Sequence, residues 1–279
     1  MDSTAEVKSI LITGCSTGIG LHLARGLKDK GYRVFASARQ EADVEKLEAE
    51  GFESLLLDLS SSESINCAVK DLFQKTECIY ALIHNGAYGQ AGALEDISRA
   101  AMEEQFQANF FGWHELTNLI LPSMKKHNNG RVIYISSVLG FVALPFRGPY
   151  VASKFAVEGL VDTLRLELRH TNINFSLVQP GPIESDFRKN AYLSFQKHVD
   201  FESSDYRADY KKMIERLNSS KNAQFTLGPE AVLKPVLHAL ESRAPKLRYR
   251  VTFPTKLFAI LGRILPSAWM DRVLIKAAD

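Results

Sequence analysis

The sequence predicts an α/β protein, a single doubly wound parallel sheet with helices on both faces. Three observations carry this. Short apolar runs alternate with helical segments from residue 7 onward, the pattern of a chain that crosses over between parallel strands. The first run leads straight into Gly14-Cys15-Ser16-Thr17-Gly18-Ile19-Gly20 and then into a helical repeat. Gly14, Arg39, Asp58 and Asn85 each follow a predicted strand, so all four fall on the carboxyl edge of the sheet, where such folds bind ligands.

Val7–Thr13 reads as a short buried strand. In the helix after the glycine-rich turn, Leu21, Ala24 and Leu27 repeat at helical spacing, and Gly31 closes it. A strand, a glycine-rich turn and a helix N-terminus together make an anion site, because free backbone N–H groups and the positive dipole end face a phosphate. Gly14 and Gly18 allow the tight turn and close backbone approach, and Gly20 lets helix and strand pack. A plain tight turn is the other reading. The second strand, Tyr32–Ala38, ends at Arg39. In dinucleotide folds a carboxylate here binds the ribose hydroxyls and selects NAD, whereas an arginine accommodates the extra phosphate of NADP. The carboxylate is missing and Arg39 stands beside the gap, which points to NADP(H), with Ser16 and Ser37 as helpers. A solvated surface charge is the alternative for Arg39.

Asp43–Glu50 is a short polar helix closed by Gly51, and Ser54–Leu57 is a third strand before Asp58-Leu59. Ser62–Lys75 is a helix with Ser62 as its N-cap. Ile79–His84 is the fourth strand, ending in Asn85-Gly86-Ala87. Ser98–Lys126 reads as one long helix with Met102, Phe106, Phe110 and Trp113 on its core side. Asn109 lies in that stripe and needs partners if buried; a structural hydrogen bond is its plainest reading. Arg131–Ser136 is the fifth strand, Tyr150 opens the next helix, and Asn174–Gln179 is the sixth strand.

Tyr150 and Lys154, four apart on a helix, project from the same face. An ammonium beside a phenol favours the phenolate, so the Tyr150 pKa is expected to fall toward neutrality. Such a phenol passes a proton to or from an alcohol or carbonyl oxygen. Ser137 follows the apolar run Val132–Ile135, placed to fix that same oxygen. A ring resting on a lysine stem at the surface is the competing explanation of the pair.

Composition removes other classes. The net charge of +2 gives no broad field for nucleic acid. Three cysteines with no CxxC and no metal spacing fit a reducing compartment, and the seven histidines include no HExxH. No metal site is expected. The polar, acidic start is no secretory signal, and no run approaches the about 20 apolar residues of a membrane span. A cytoplasmic protein is expected.

Four features together resemble the short-chain dehydrogenase/reductase family: T-G-C-S-T-G-I-G at Thr13–Gly20, the Ser137…Tyr150-x-x-x-Lys154 set, Asn109, and P-G-P-I-E-S at Pro180–Ser185. Order and spacing match over residues 7 to about 240. One departure is His84-Asn85-Gly86-Ala87, where the family usually has Asn-Asn-Ala-Gly. The segments I-S-R-A-A-M-E-E-Q-F-Q-A-N-F-F-G, L-R-L-E-L-R-H and F-T-L-G-P-E-A-V are similar to the bacterial NADP-dependent aldehyde reductase branch, itself related to retinol and 17β-hydroxysteroid dehydrogenases.

The resemblance implies a Rossmann-type fold and hydride transfer between nicotinamide C4 and a carbonyl or alcohol carbon. Tyr150 would be the acid/base, and Ser137 would hydrogen-bond the substrate oxygen. Lys154 would bind the nicotinamide ribose and lower the Tyr150 pKa, and Asn109 would hold a water that relays the proton through Lys154. Gly14, Ser16, Thr17, Gly18, Ile19 and Gly20 would meet the pyrophosphate and ribose, Asp58 and Leu59 the adenine, and Asn85, Gly86 and Ala87 the adenosine-side ribose. Pro180 and Gly181 would also touch the cofactor, with Ile183 and Ser185 on its carboxamide. A homodimer or homotetramer through the helices beginning near Ser98 and at Tyr150 is implied as well.

The resemblance makes residues 186–226 a helical substrate lid; a surface excursion with its own small cluster is the alternative. Its aromatic content suggests an apolar substrate, with Val138, Leu139, Phe146 and Phe187 as candidate lining residues. A helix from Gly228 to Leu240 and a strand Tyr249–Phe253 follow. The extension 254–279 is apolar and basic. Leu257, Ile260, Leu261, Ile264 and Leu265 share a helical face interrupted at Pro266, and Trp269, Val273 and Leu274 continue it. It packs on its own fold or a partner copy, covers the substrate mouth, or makes peripheral membrane contact. The chain is therefore read as one domain over 1–279, an NADPH-dependent oxidoreductase that reduces a small apolar carbonyl, an aldehyde first, to its alcohol. A steroid or retinoid dehydrogenase and a non-catalytic NADP-binding regulator are its rivals.

Overall fold

The computed structural model describes residues 7–219 and 223–278. Seven parallel strands form one sheet in the order β3-β2-β1-β4-β5-β6-β7. They are β1 (Ser9–Ile12), β2 (Arg33–Ala38), β3 (Glu53–Leu56), β4 (Ala81–His84), β5 (Gly130–Ile135), β6 (Ile173–Gln179) and β7 (Arg248–Arg250). The order reverses between β1 and β4, which opens a crevice at the carboxyl ends of these two strands. β1 and β4 are buried along their whole length, so both read as unbroken apolar runs rather than as alternation.

The period of two is visible in the packing. Ile10 and Ile12 face a core made with Leu23 and Leu27 of α1 (Gly18–Asp29), whereas Leu11 faces the opposite core with Trp113 and Leu116. Helix α2 (Glu41–Ala49) and α3 (Ser62–Lys75) follow the second and third strands. Ser61, not Ser62, caps α3: its hydroxyl accepts from the Ser64 N–H at 3.2 Å. Either serine is a good cap, and extended backbone at Ser61 decides between them.

The predicted long helix is three pieces. α4 (Arg99–Phe106) passes into a π-turn at Gln107–Phe111 and then into α5 (Gly112–Lys126). At this turn the Gly112 N–H donates to the Gln107 carbonyl, five residues back. α6 (Gly148–Glu167) begins two residues before Tyr150, with Pro149 in its first turn. Glu158 fastens α6 to the sheet by accepting from Ser136 Oγ at 2.6 Å, Gln179 Nε2 at 2.9 Å and Arg248 Nε at 2.9 Å.

The 186–226 segment holds α7 (Phe187–His198) and α8 (Arg207–Asn218). Phe195, Tyr210 and Met213 form a small core of their own with Ala91 and Ala93. A 3₁₀ turn at Pro229–Val232 precedes α9 (Leu233–Glu241). The last strand is shorter than predicted, because Phe253-Pro254 begins α10 (Phe253–Ile264) instead of ending β7. Pro266 separates α10 from α11 (Ser267–Ala278).

Candidate active site

One cleft of about 1760 Å³ runs along the carboxyl edge of the sheet. Its wall takes in Gly14, Ser16, Thr17, Gly18 and Ile19, then Arg39, Asp58 and Leu59, then Asn85, Gly86 and Ala87. Farther along come Ser137, Tyr150 and Lys154, with Pro180, Gly181, Ile183 and Ser185 opposite. The sequence-predicted lining residues Val138, Leu139, Phe146 and Phe187 reach the same cleft.

Three sequence-predicted residues do not line it. Gly20 is buried beneath the turn, where an added Cβ would lie 2.1 Å from the Gly14 carbonyl oxygen. Its absence of side chain serves packing, not contact. Ser37 is fully buried and donates to the Ile12 carbonyl at 3.2 Å, so it does not help at the ribose. Asn109 is fully buried in the π-turn; its Nδ2 donates to the Tyr88 carbonyl at 2.8 Å and its Oδ1 accepts from the Tyr88 N–H at 3.2 Å. A third contact, Nδ2 to Ser153 Oγ at 3.4 Å, ties α6 to the same point.

The glycine turn is held from below. Gly14 has φ +69° and lies so close to Gly86 that a Cβ would fall 2.5 Å from the Gly86 Cα. Thr13 Oγ1 accepts from the Asn85 and Gly86 N–H groups at 2.9 and 3.0 Å. Asn85 Nδ2 donates back to the Thr13 and Gly14 carbonyls at 3.0 and 2.9 Å. This reciprocal clamp fixes two loops that meet the first turn of α1. Thr13 was legible only as the letter before Gly14, since its partners lie more than a helix away in sequence.

Tyr150 and Lys154 are both buried. Lys154 Nζ donates to the Ile135 carbonyl at 2.9 Å, sits 4.2 Å from the Trp113 ring centroid and 5.6 Å from that of Tyr150. The Tyr150 pKa does not fall as expected. Burial pushes it up to about 12, opposed by hydrogen bonding with Ser137. Burial also lowers Lys154 to about 7, opposed by the charge of Glu158. The environment disfavours charge on both groups, so the lysine is a weaker source of field than its sequence position implies. Part of that burial comes from the far end of the chain: Met270 and Leu274 of α11 share a cluster with Leu139, Val142 and Tyr150. Phe187 adds an edge-to-face contact, its ring centroid 5.1 Å from that of Tyr150. The C-terminal helices thus pack on their own fold and cover the region around the phenol.

His84, the departure from the family pattern, stacks on both Trp113 and Tyr134, with ring centroids at 5.3 and 4.6 Å, and those two rings also meet each other at 5.8 Å. Its Nε2 lies 2.8 Å from Thr117 Oγ1. Thr117 donates its one proton to the Trp113 carbonyl at 2.8 Å, so His84 Nε2 and the Tyr134 hydroxyl are donors to Thr117. His84 Nδ1 is buried without a partner among the described residues. Burial, and then the Lys154 charge, lowers the His84 pKa from 6.5 to about 3. Between these values the unfolded chain binds one proton more than the folded one, so this group's contribution is present above pH 6.5 and lost as pH falls toward 3. His84→Asn should flatten that stretch of the stability profile, read as urea midpoints of variant and wild type at pH 7 and pH 4.5. Parallel profiles would show that His84 is not the acid-sensitive group.

The geometry defines a dinucleotide-type cleft with a serine, a tyrosine and a lysine on one wall. The profile of the family described as short chain dehydrogenase matches residues 8–194. The uncharacterized oxidoreductase YbbO of Escherichia coli K12 is 46% identical over 268 residues, covering 96% of this chain and 94% of that protein. Human retinol dehydrogenase 8 is 34% identical over 253 residues, covering 88% of this chain and 81% of that protein. A short chain dehydrogenase/reductase from Burkholderia phymatum, solved in complex with NAD, superposes with a TM-score of 0.78 at 21% identity, covering 98% of this chain and 97% of that one. The chain belongs to the short-chain dehydrogenase/reductase family and is an oxidoreductase of that family.

Proposed function

We propose that the chain reduces an apolar aldehyde to its alcohol with NADPH, using Tyr150 as the proton donor. The observation that carries the reading is one cleft with Ser137, Tyr150 and Lys154 on its wall and Arg39 at its other end. The residues fit the cofactor. The Gly14–Ile19 turn meets the N-terminus of α1, where backbone N–H groups suit a pyrophosphate, and exposed Arg39 at the end of β2 suits a 2′-phosphate. Bound NADPH would supply a hydride to the carbonyl carbon.

The chain's own residues do the rest. Ser137 Oγ hydrogen-bonds the carbonyl oxygen and holds it toward the phenol. Tyr150, kept protonated by its burial, donates to that oxygen as negative charge develops there. Lys154 holds the nicotinamide ribose and returns a proton to Tyr150. The Asn109 side chain is committed to Tyr88, so its part is to fix the π-turn beside Ser153, and a relay water would be held by other atoms of that turn. Val138, Leu139, Phe146 and Phe187 give the substrate end an apolar wall. A bulky steroid or retinoid is the second reading, favoured by the size of the cleft and by the likeness to retinol dehydrogenase 8. A regulator without chemistry is disfavoured, since Ser137, Tyr150 and Lys154 all stand in the cleft.

The test is coenzyme consumption, with NADPH and NADH in parallel, against aldehydes of rising chain length, a ketosteroid and retinal. Turnover of the aldehydes with NADPH is expected. Turnover of only the ketosteroid or retinal would move the substrate to the second reading. Arg39→Asp should shift the NADPH-to-NADH preference by about tenfold or more, as for loss of a charged hydrogen bond. An unchanged ratio would count against Arg39 as the phosphate contact.

A further inference from the structure

Helix α10 turns an unusual face to solvent. Phe253, Leu257, Ile260 and Ile264 follow at i, i+4, i+7 and i+11, which places them in one row along the helix. They are 57, 37, 55 and 71% exposed. A helix that only covers its own core shows polar residues there. α10 instead has two opposed uses: Thr255 and Ala259 are buried against the protein, and the row points away from it. The apolar surface extends beyond the helix. Phe225, half exposed, has its ring centroid 5.1 Å from that of Phe253, and Trp269 on α11 is 62% exposed.

The charges around this face have one sign. From Phe253 to Ala278 the bases are Lys256, Arg263, Arg272 and Lys276, and the one acid is Asp271. All four bases are exposed, and none is in an ion pair among the described residues. Exposed large apolar side chains, a tryptophan and unpaired cations on short surface helices are the composition of an interfacial helix on an anionic bilayer. Among the described residues no helix is long and apolar enough to cross a membrane, so contact of this kind would lie along the surface. A second copy of the chain would bring cations against cations, whereas anionic headgroups complement them. The face also borders the cleft, because Phe253, Leu257, Ile275 and Lys276 line both.

We propose that α10 and α11 dock the protein on an anionic phospholipid surface, with the mouth of the cleft turned to the lipid. This goes beyond the reductase reading and does not depend on it. The test is co-sedimentation of the full chain with vesicles of phosphatidylcholine alone and of equimolar phosphatidylcholine and phosphatidylglycerol, at low and high salt. The comparison protein carries Ile260→Asp and Ile264→Asp, two exposed positions outside the cleft. Wild type should bind the anionic vesicles about tenfold or more above the neutral ones, and should lose most of that at high salt. The double variant should bind about tenfold or more weakly, with an unchanged urea midpoint and unchanged turnover of a soluble short aldehyde. Wild type remaining in the supernatant with anionic vesicles would overturn the proposal. Equal sedimentation of wild type and variant would overturn it too. So would a variant that changes only the oligomeric state by light scattering, since the face would then belong to a second copy. Loss of turnover by both proteins alike would strike the reductase reading and leave the binding result standing.

Discussion

Tyr150→Phe is expected to lower kcat by about 10²–10⁴-fold while NADPH binds as in wild type. The substitution keeps the ring and removes one hydroxyl. The ring's packing is retained: Phe187 still meets it edge-to-face, and Leu139, Val142, Met270 and Leu274 still surround it. Ser137 is not left unpartnered, since its Oγ also accepts from the Leu139 N–H at 3.0 Å. A stability loss large enough to mimic inactivity is therefore not expected, and a urea curve checks it. The hydroxyl's work is done only as charge develops on the substrate oxygen, so kcat and kcat/KM should fall together. Coenzyme consumption and an NADPH fluorescence titration on the same preparation separate chemistry from binding. Turnover within a few-fold of wild type would remove Tyr150 from the mechanism.

Gly20→Ala should be the most damaging single-methyl change in the chain's first third. The added Cβ would sit 2.1 Å from the Gly14 carbonyl oxygen and 2.5 Å from Asn85 Nδ2. Both atoms belong to the clamp between the glycine turn and the β4 loop, so neither is free to yield. Overpacking of this kind costs about 1–3 kcal/mol, and relief by opening the turn would cost the cofactor site its shape. The expected result is a lower urea midpoint together with weaker NADPH binding. Gly159→Ala is the matched control. Gly159 lies exposed on α6 with nothing within 4 Å of its added Cβ, so alanine there should stabilise by about 0.5–1 kcal/mol through helix propensity. Wild-type stability and affinity in Gly20→Ala would show that the turn moves more easily than its hydrogen bonds imply.

The parts legible in the sequence are those set by neighbours in the chain. β1, the glycine turn and α1 are consecutive, and each announces itself by a buried run, three glycines and a helical repeat. Strands β2 to β6 lie within a residue or two of the segments read from the sequence, because largely buried strands leave near-continuous apolar runs, the half-exposed β3 at the sheet edge least so. The π-turn was hidden, since one extra residue inside Gln107–Phe111 leaves helical spacing intact on either side. Ser37 was misread because strand alternation decides which face it takes, and it faces the sheet interior at the Ile12 carbonyl. The direction of the Tyr150 pKa was out of reach for a different reason. Proximity of Lys154 is a local fact, but the burial that outweighs it is supplied by Phe187 and by α11. His84 is likewise held neutral by burial beside Trp113 and Tyr134 and by the Lys154 charge, which only the folded chain brings together.

The packing of Met270 and Leu274 beside Tyr150 also orders the protein's assembly in time. A chain is synthesised from its N-terminus, and its early elements begin to fold before the late ones exist. By Lys154 the turn, the clamp and the Ser137, Tyr150 and Lys154 wall have been made, yet the α11 part of the cover over the phenol has not. Until β7, α10 and α11 arrive, a nascent protein has the glycine-turn end of its cleft and a tyrosine covered by Phe187, Leu139 and Val142 but not by Met270 and Leu274. The cover beside the phenol is thus completed last, by the docking of a segment that carries none of Ser137, Tyr150 and Lys154.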